Sequence, residues 1–223
     1  MRTALLKNHS LPYTALACIA VMAMAFSMCS SEQGPAPEDF MSFQTKSAIS
    51  YDGFAEYNVR MELLSVREEE DGKHYLVRAA VADMSDGESE LDFTVDLAYF
   101  LTPTSLVQSG QRRPLMDSEF QSIELLRAPI KQGAGWTQQQ RDATGKFVDI
   151  TCRITNLITL EGRTVIDVTY ESEGGARYEW RRFGSGLGLV RYEKKGWDEN
   201  MVGFFLIDTD DQADVQGAAE AQD

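Results

Sequence analysis

The chain of 223 residues is 43% hydrophobic and 25% charged, which is the composition of an ordinary globular protein. Its 21 Lys and Arg stand against 35 Asp and Glu, and the net charge of −14 argues against nucleic acid or an anionic lipid surface as the main partner. Three Cys are too few for a disulfide framework, and two His leave little room for zinc or triad chemistry. After residue 30, no stretch approaches the ~20 apolar residues that a membrane-spanning helix needs.

Residues 1–28 are predicted to be an export signal. Arg2 and Lys7 give the positively charged start, and residues 15–26 form an uninterrupted apolar run. This run has the length of the apolar region of a signal peptide and is too short for a spanning helix. Cleavage after Ala23-Met24-Ala25 by ordinary signal peptidase would release a secreted protein that begins at Phe26.

Lipidation of Cys29 is the alternative processing route. Phe26-Ser27-Met28-Cys29 is similar to a bacterial lipobox, although Met28 stands where a small residue is normal. Residues 30–39 are polar and contain Pro and Gly, so residues 29–42 are predicted to be a lipidated Cys followed by a flexible tether. The expected location is therefore the outer face of the cytoplasmic membrane, with the protein anchored through Cys29, or secreted if cleavage follows Ala25.

Residues 43–207 are predicted to form an all-β domain. In residues 91–101 the apolar side chains alternate with Asp92, Thr94 and Asp96, a pattern typical of a half-buried antiparallel strand. Similar runs cover residues 57–67, 74–83, 120–127, 147–157, 163–173, 176–183, 189–194 and 203–208.

Short turn signals separate most of these runs, so the sequence predicts an antiparallel meander of about nine strands. Such a sheet curls toward a half-barrel or folds into a two-layer sandwich. The longest break, residues 129–135, is expected where the sheet turns its corner. Residues 208–223 are acidic, contain no base and lack the Gly and Glu positions of an EF-hand, so they are predicted to be a disordered tail.

Gly184, Gly186 and Gly188 form a G-x-G-x-G pattern, which is typical of phosphate loops when a helix follows. Here strand patterns lie on both sides, and the pattern favours a tight turn with positive φ angles. His74 is the His that remains after export, and we do not assign it a general-base role. H-E-x-x-H, C-x-x-C and G-x-S-x-G motifs do not occur. No catalytic, metal-binding or cofactor-binding residue is therefore assigned, and no cofactor is expected.

Cys152 alternates in phase with Ile150 and Ile154, and the pattern predicts a buried, unreactive thiol. The aromatic residues could line a ligand groove, but in a small β domain aromatic side chains usually belong to the core, and we expect them there. Those considered are Trp136, Trp180, Trp197, Tyr170, Tyr178 and Tyr192. Alternation aligns Trp180 with Tyr178 and Arg182.

Five segments of the chain carry a family resemblance: YDGFAEY (51–57), DMSDGES (83–89), MDSEF (116–120), LLRAPIKQGAGW (125–136) and GLGLV (186–190). On these, residues 51–207 resemble a functionally uncharacterised group of bacterial, mostly Gram-positive, secreted lipoproteins and cell-surface proteins. In that group a "plkxGxxW" segment starts a strand and a "GxGxV" turn precedes a late strand. The resemblance implies an extracytoplasmic all-β domain and brings no catalytic residues with it.

Two functions of different classes follow, and a third is weaker. The protein is either a non-enzymatic binding or interaction module for an envelope protein or the cell wall, or a carrier that encloses an apolar ligand in its curled sheet. An envelope hydrolase would need two carboxylates ~5 to ~9 Å apart in a cleft. A carrier should have an unfilled interior, whereas an interaction module should fill it with side chains. The sequence leaves the oligomeric state open.

Overall fold

The computed structural model describes residues 34–53, 57–83, 93–110, 118, 120–141, 145–160, 162–195 and 201–206. The predicted signal, Cys29 and the acidic tail lie outside these ranges. The described residues belong to a compact unit, Gly34–Asp223. They contain strands and short 3-10 turns and no α-helix, which confirms the all-β prediction.

Twelve antiparallel strands form one continuous sheet. They are β1 Ala48–Gly53, β2 Tyr57–Glu69, β3 Gly72–Asp83, β4 Phe93–Leu101, β5 Ser105–Gly110, β6 Ser122–Arg127, β7 Gly135–Arg141, β8 Phe147–Leu160, β9 Arg163–Ser172, β10 Tyr178–Gly184, β11 Gly188–Lys195 and β12 Met201–Leu206.

The sheet consists of two meanders of six strands each. Its order is β6-β5-β4-β3-β2-β1-β12-β11-β10-β9-β8-β7, so the first and last strands of the domain pair in the middle of the sheet. Strands β6 and β7 follow each other in the chain but occupy opposite edges of the sheet. The predicted corner at residues 129–135 is therefore the place where sequential pairing stops.

The sheet curls until its two edge strands meet. The side chain of Gln138 on β7 forms two hydrogen bonds with the backbone of Glu124 on β6: its Oε1 accepts the amide at 2.8 Å and its Nε2 donates to the carbonyl oxygen at 3.1 Å. The amide of Gln121 also donates to the carbonyl oxygen of Arg141 at 3.3 Å. The side chain of Gln138 thus supplies hydrogen bonds that backbone groups would supply between paired strands. The curled form of the sheet agrees with the predicted half-barrel.

Alternating side chains from the concave face of the sheet fill the interior. In β4 the buried residues are Val95, Leu97, Tyr99 and Leu101, as the period-two pattern predicts. One apolar cluster contains buried residues from both meanders, from Val59 on β2 to Tyr192 on β11. Since both halves share this core, the domain is a single folding unit.

The predicted tether does not extend to residue 42. Residues 37–44, here called the cap segment, form two 3-10 turns, Pro37–Phe40 and Ser42–Gln44. Phe40 is 1% exposed, and Met41 and Phe43 are also buried against the sheet. Three large apolar side chains in a stretch of eight residues are enough to dock it. The folded domain therefore begins before residue 43, the predicted boundary.

Three strands were absent from the prediction of about nine. They are β1, β5 and β7, which have six or seven residues each. Strands of this length show few alternations, although β6 and β12 are equally short and were predicted. In β7 the sequence GWTQQQR is largely polar, because Gln138 closes the edge of the sheet through hydrogen bonds instead of apolar contact.

Candidate functional site

The outer face of β8–β11 carries an ordered array of polar and aromatic side chains. Strand register aligns Arg153, Thr169, Trp180 and Glu193 in one row across the four strands. The next row contains Asn156, Asp167, Arg182 and Arg191, and the row on the other side contains Thr151, Glu171 and Tyr178. Since neighbouring strands lie ~4.8 Å apart, the rows across four strands are ~14 Å wide. We call these three rows the Trp180 face.

Trp180 lies in the central row and is half-buried. The guanidinium carbon of Arg182 lies 5.2 Å from the centre of the Trp180 ring, and that of Arg191 lies 5.6 Å from it. Both distances are within the range of cation–π attraction. The indole ring therefore has two cationic neighbours that restrict its orientation.

Carboxylates hold both arginines in turn. Arg182 donates to Asp167 from Nε at 2.8 Å and from Nη2 at 3.0 Å, in a bidentate pair that is largely buried. Arg191 pairs with Glu193, and its side chain is 52% exposed. A bidentate pair fixes the direction of both partners. The Trp180 face thus presents an aromatic ring inside a pre-ordered polar rim.

The opposite, inner side of β10 carries a buried ionic cluster. Glu179 is 0% and Arg181 is 2% exposed, and the Nη2 atom of Arg181 donates to Glu179 at 2.9 Å. Ser118 donates to the second oxygen of Glu179 at 2.8 Å, and the Nη1 atom of Arg181 donates to Gln108 at 2.7 Å. Lys194 is buried beside them, as the register partner of Glu179.

Burial alone would lower the pKa of Arg181, but attraction by the Glu179 charge outweighs it and the pKa of Arg181 is raised. Arg181 therefore stays charged at every pH at which the domain folds. Its guanidinium carbon lies 4.6 Å from the centre of the Tyr192 ring. These contacts make the cluster a compensated structural network of the core, the usual condition for burying charge.

A cavity of about 20 Å³ separates the cap segment from this cluster. Its walls are mainly apolar, with Phe40 and Phe43 from the cap segment facing Tyr99 and Phe183 from the sheet, and Arg181 at one side. The Nε atom of Arg181 is buried and has no hydrogen-bond partner among the described residues. This volume is room for a water molecule or two and is far too small for an acyl chain.

His74 lies at the tip of the β2–β3 hairpin, away from both clusters. It is 3.6 Å from Glu69 and stacks on Phe100 at a ring distance of 4.3 Å. Glu69, Asp71 and His74 each offer a ligand atom, and these atoms lie within 4.8 Å of one another. They could hold a divalent cation, but exposed acidic groups of this kind are common without one.

The structure separates the aromatic residues that the sequence grouped together. Trp136, Tyr170 and Tyr192 are buried in the core, as expected. Trp180 and Tyr178 lie on the outer face instead, so for these two the core expectation was wrong. Trp197 lies outside the described residues.

The other predicted features lie where the patterns placed them. Cys152 is fully buried and receives a hydrogen bond from Gln138 at 3.1 Å, and burial raises the pKa of its thiol to about 12. Gly186 and Gly188 have φ angles of 75° and 78° in the tight β10–β11 turn. Strands flank this turn on both sides, in agreement with the turn interpretation.

The buried charges Glu179, Arg181 and Lys194 were not predicted from the sequence. Charged residues are normally assigned to the solvent side, so the aromatic residues of β10 were assigned to the core. Phe183 gives the available signal. Alternation counted back from this buried residue puts Arg181 and Glu179 inside and leaves Trp180 outside.

The part of the chain that the structure describes contains no apolar helix of membrane-spanning length.

No family model and no curated protein matches the sequence. Among solved structures, the chain is similar to a "putative exported protein with YmcC-like fold" from Bacteroides fragilis, with a TM-score of 0.40 and 10% identity over 71% of this chain and 92% of that one. It is also similar to a "putative lipoprotein" from Parabacteroides distasonis, with a TM-score of 0.39 and 9% identity over 73% of this chain and 94% of that one. Similarity at this level assigns no function to the chain, and the resemblance to mostly Gram-positive surface proteins stays a prediction.

Proposed function

We propose that the protein is an exported, lipid-anchored envelope protein that acts as a non-enzymatic binding module and uses the Trp180 face to bind an envelope component. The signal pattern of residues 1–28 and the lipobox-like segment that ends at Cys29 support the location. The outer face of β8–β11 supports the mode of action.

The observation that carries this proposal is the inverted pattern of β10, in which charged residues face the core and aromatic residues face the solvent. This strand places Trp180 and Tyr178 on the solvent side and buries Glu179 and Arg181 on the other. Burying charge while leaving a large aromatic ring half-exposed runs against the hydrophobic effect. An exposed aromatic ring held by ordered polar groups is the composition of binding surfaces, where Trp, Tyr and Arg contribute most of the affinity.

The filled interior favours a binding module over a carrier. Side chains of one continuous cluster occupy the concave side of the sheet, and the cavity near Arg181 measures only about 20 Å³. The two edges of the sheet are joined through Gln138. The concave side that the described residues line is therefore filled, whereas the outer face of β8–β11 is open.

A soluble variant with intact domain residues tests the proposed face. The Cys29→Ser protein is purified and mixed with washed envelopes of the organism that makes it, and the fraction removed from solution is measured by sedimentation. We expect Trp180→Ala in this background to reduce retention at least tenfold. Phe147→Ala is the matched control, because Phe147 is also an exposed aromatic ring next to an arginine, at 4.1 Å from Arg141. Equal retention of the two variants would contradict the proposed face.

The anchor is tested separately in cells. We expect Cys29→Ala to move the protein from the membrane fraction to the soluble fraction, because no thioether-linked lipid can form without the thiol. The denatured mass of the wild-type protein should match a chain that begins at Cys29 and carries a diacylglyceryl group. A mass that begins at Phe26 would show a freely secreted protein and remove the anchor from the proposal.

A further inference from the structure

We propose that the ligand of the Trp180 face is a polysaccharide, bound across strands β8–β11 with a sugar ring packed on Trp180. This inference rests on the proposed function, since it names the ligand class of the same face. Three properties of the face lead to it: a central aromatic ring, a hydrogen-bonding rim with charges of both signs, and an open outer surface that runs across several strands.

The aromatic ring suits the C–H side of a pyranose. A sugar ring presents apolar C–H groups on one side, and an aromatic ring offers these an apolar surface that needs no matching charge. Trp180 stands between Thr169 and Glu193 in its row, and Tyr178 lies on the same strand two residues away. Adjacent rows of the sheet thus offer two aromatic contacts for neighbouring sugars.

The rim suits hydroxyl groups. Each sugar hydroxyl donates one hydrogen bond and accepts others, so a glycan site needs donors and acceptors side by side. Arg182 with Asp167 supplies both in a bidentate pair of fixed geometry, and Arg191 with Glu193 supplies both in a more exposed pair. Pre-ordered groups lose little conformational entropy when a ligand binds.

The face carries charges of both signs, which argues against nucleic acid and an anionic lipid surface as the ligand. The cations Arg153, Arg182 and Arg191, with Lys195 on the same side of β11, lie among the carboxylates Asp167, Glu171 and Glu193, in a chain whose net charge is −14. A nucleic acid or an anionic lipid surface would require a positive field. A ligand rich in hydroxyl groups needs hydrogen-bond donors and acceptors side by side, and the face provides these.

The shape favours a chain that lies across the strands. The row through Trp180 continues from Glu193 to Gly203 on β12, and Gly203 has no side chain to block the path. An extended peptide would instead add to an edge of the sheet. Here the edge strands β6 and β7 contact each other through Gln138, so the outer face is the accessible surface for an elongated ligand.

Calorimetric titration of the Cys29→Ser protein tests the ligand class. The probes are chitohexaose and cellohexaose as neutral glycans and a polygalacturonate oligomer as an acidic one. We expect at least one to bind with a dissociation constant below about 1 mM, with a loss of at least tenfold in Trp180→Ala. Phe147→Ala should bind like the parent protein. Trp180→Tyr keeps an aromatic ring and should retain more affinity than Trp180→Ala, which separates ring stacking from loss of folding.

Each outcome is decisive. Glycan binding that depends on Trp180 supports the proposal, and the preferred probe shows whether the polymer is neutral or acidic. Glycan binding that Trp180→Ala leaves unchanged overturns it. Failure of all probes together with Trp180-dependent retention on envelopes overturns the ligand class and leaves the proposed binding face standing. Failure in both experiments overturns the inference and the proposed function together.

Discussion

Single residues of β10 show how the sheet tolerates an inverted pattern. Arg181 and Glu179 lie two positions apart on the inner side, and hydrogen bonds to the other atoms of a buried ion pair offset part of the cost of burying it. Ser118 and Gln108 supply two such bonds, and Tyr192 packs on the guanidinium. The inner side of β10 thus accepts charge, and Trp180 can occupy the outer side.

Cys152 provides a test of burial at a single atom. The thiolate is the reactive form of cysteine, and burial both raises the pKa of Cys152 to about 12 and excludes the reagent. We therefore expect the Cys29→Ser protein, after removal of the signal, to resist a maleimide or a disulfide reagent at pH 8 in its native state. In denaturing urea one equivalent of reagent should react rapidly. Stoichiometric labelling without denaturant would be incompatible with a core position for this thiol.

For single residues, period-two alternation predicted correctly which side chains face the core wherever a run of apolar residues showed which alternate positions are buried. Cys152 with Ile150 and Ile154 is such a case, and all three are buried. In β10 the alternation itself was predicted correctly, because Trp180 does align with Tyr178, but these residues face the solvent and not the core. The inward orientation of Glu179 depends on its hydrogen bond with Ser118, which lies 61 residues away in sequence. Sequence alternation carries no information on contacts of that range.

Among the elements, the cap segment explains why the β10–β11 turn is rich in glycine. The amide of Gly186 donates to the carbonyl oxygen of Asp39 at 2.7 Å, which ties the turn to the cap segment. A Cβ atom built on Gly188 would lie 2.6 Å from the Oγ of Ser42 and 2.8 Å from its backbone nitrogen. Gly188 is therefore required for its positive φ angle and also for the close approach of residue 42.

The two glycines of this turn should differ in their tolerance of a methyl group. Both have positive φ angles, but a Cβ on Gly186 meets nothing within 4 Å. Gly186→Ala should lower the free energy of unfolding by about 1 kcal/mol, the cost of a positive φ angle for alanine. Gly188→Ala should lower it by more, about 3 kcal/mol, because the cap segment must shift as well. Urea denaturation of both variants measures the difference, and equal losses would show that the cap segment is not seated on the turn.

The seam between β6 and β7 depends on Gln138. Leucine at this position would leave the amide and the carbonyl group of Glu124 without their side-chain partner, and each unsatisfied buried polar group costs ~1–3 kcal/mol. We expect Gln138→Leu to lower the free energy of unfolding by about 2 kcal/mol. Hydrogen exchange of the Glu124 amide should become faster.

Gln139→Leu is the matched control for the seam. Gln139 is the next residue of the same strand and is exposed, and its side chain donates to Asp149 on the neighbouring strand at 3.0 Å. Its replacement should change stability by no more than ~0.5 kcal/mol. If both variants unfolded at the same urea concentration, the side chain of Gln138 would not be what joins the sheet edges.

The elements that sequence patterns missed are the ones whose form depends on neighbours. Strands β2, β3, β4 and β8 are long and alternate clearly, and they were predicted. The polar edge strand β7 pairs with β8 on one side and meets β6 through Gln138 on the other. Residues 37–42 of the cap segment were assigned to the tether because the polar stretch with Pro and Gly at residues 30–39 is typical of linkers. Only the sheet beneath Phe40 and Phe43 makes that stretch part of the fold.

For the whole molecule, pairing of β1 with β12 is what unites the two meanders. This pairing joins residues near both ends of the domain, Tyr51 with Leu206, while the chain passes from one meander to the other at the far edge of the sheet. The core can therefore form completely only after the last strand is in place. Such non-local pairing predicts slow, cooperative folding of the domain as one unit.

The same shared core sets how stability depends on alkaline pH. An ordinary tyrosine loses its proton near pH 10, whereas burial raises the pKa of Tyr99 to about 12. Burial likewise raises the pKa of Tyr51 and of Tyr170, and it raises that of Cys152 from 9.0 to about 12. Above pH 9 to 10 the unfolded chain therefore holds fewer protons than the folded domain, which cannot ionise these groups without exposing them.

Stability contributed by these groups is fully present below pH 9 and falls as the pH rises toward 12, by up to ~1.4 kcal/mol per pH unit for each group. We expect the urea midpoint to stay constant between pH 7 and 8.5 and to drop steeply above pH 10. Tyr99→Phe removes one ionisable group and should make the drop of the urea midpoint correspondingly smaller. It is the suitable variant because the hydroxyl groups of Tyr51 and Tyr170 hydrogen-bond to Leu189 and Leu125, so their removal would also cost a bond. An identical pH dependence in the variant would place Tyr99 in contact with solvent, and the cap segment and the sheet could not then enclose it together.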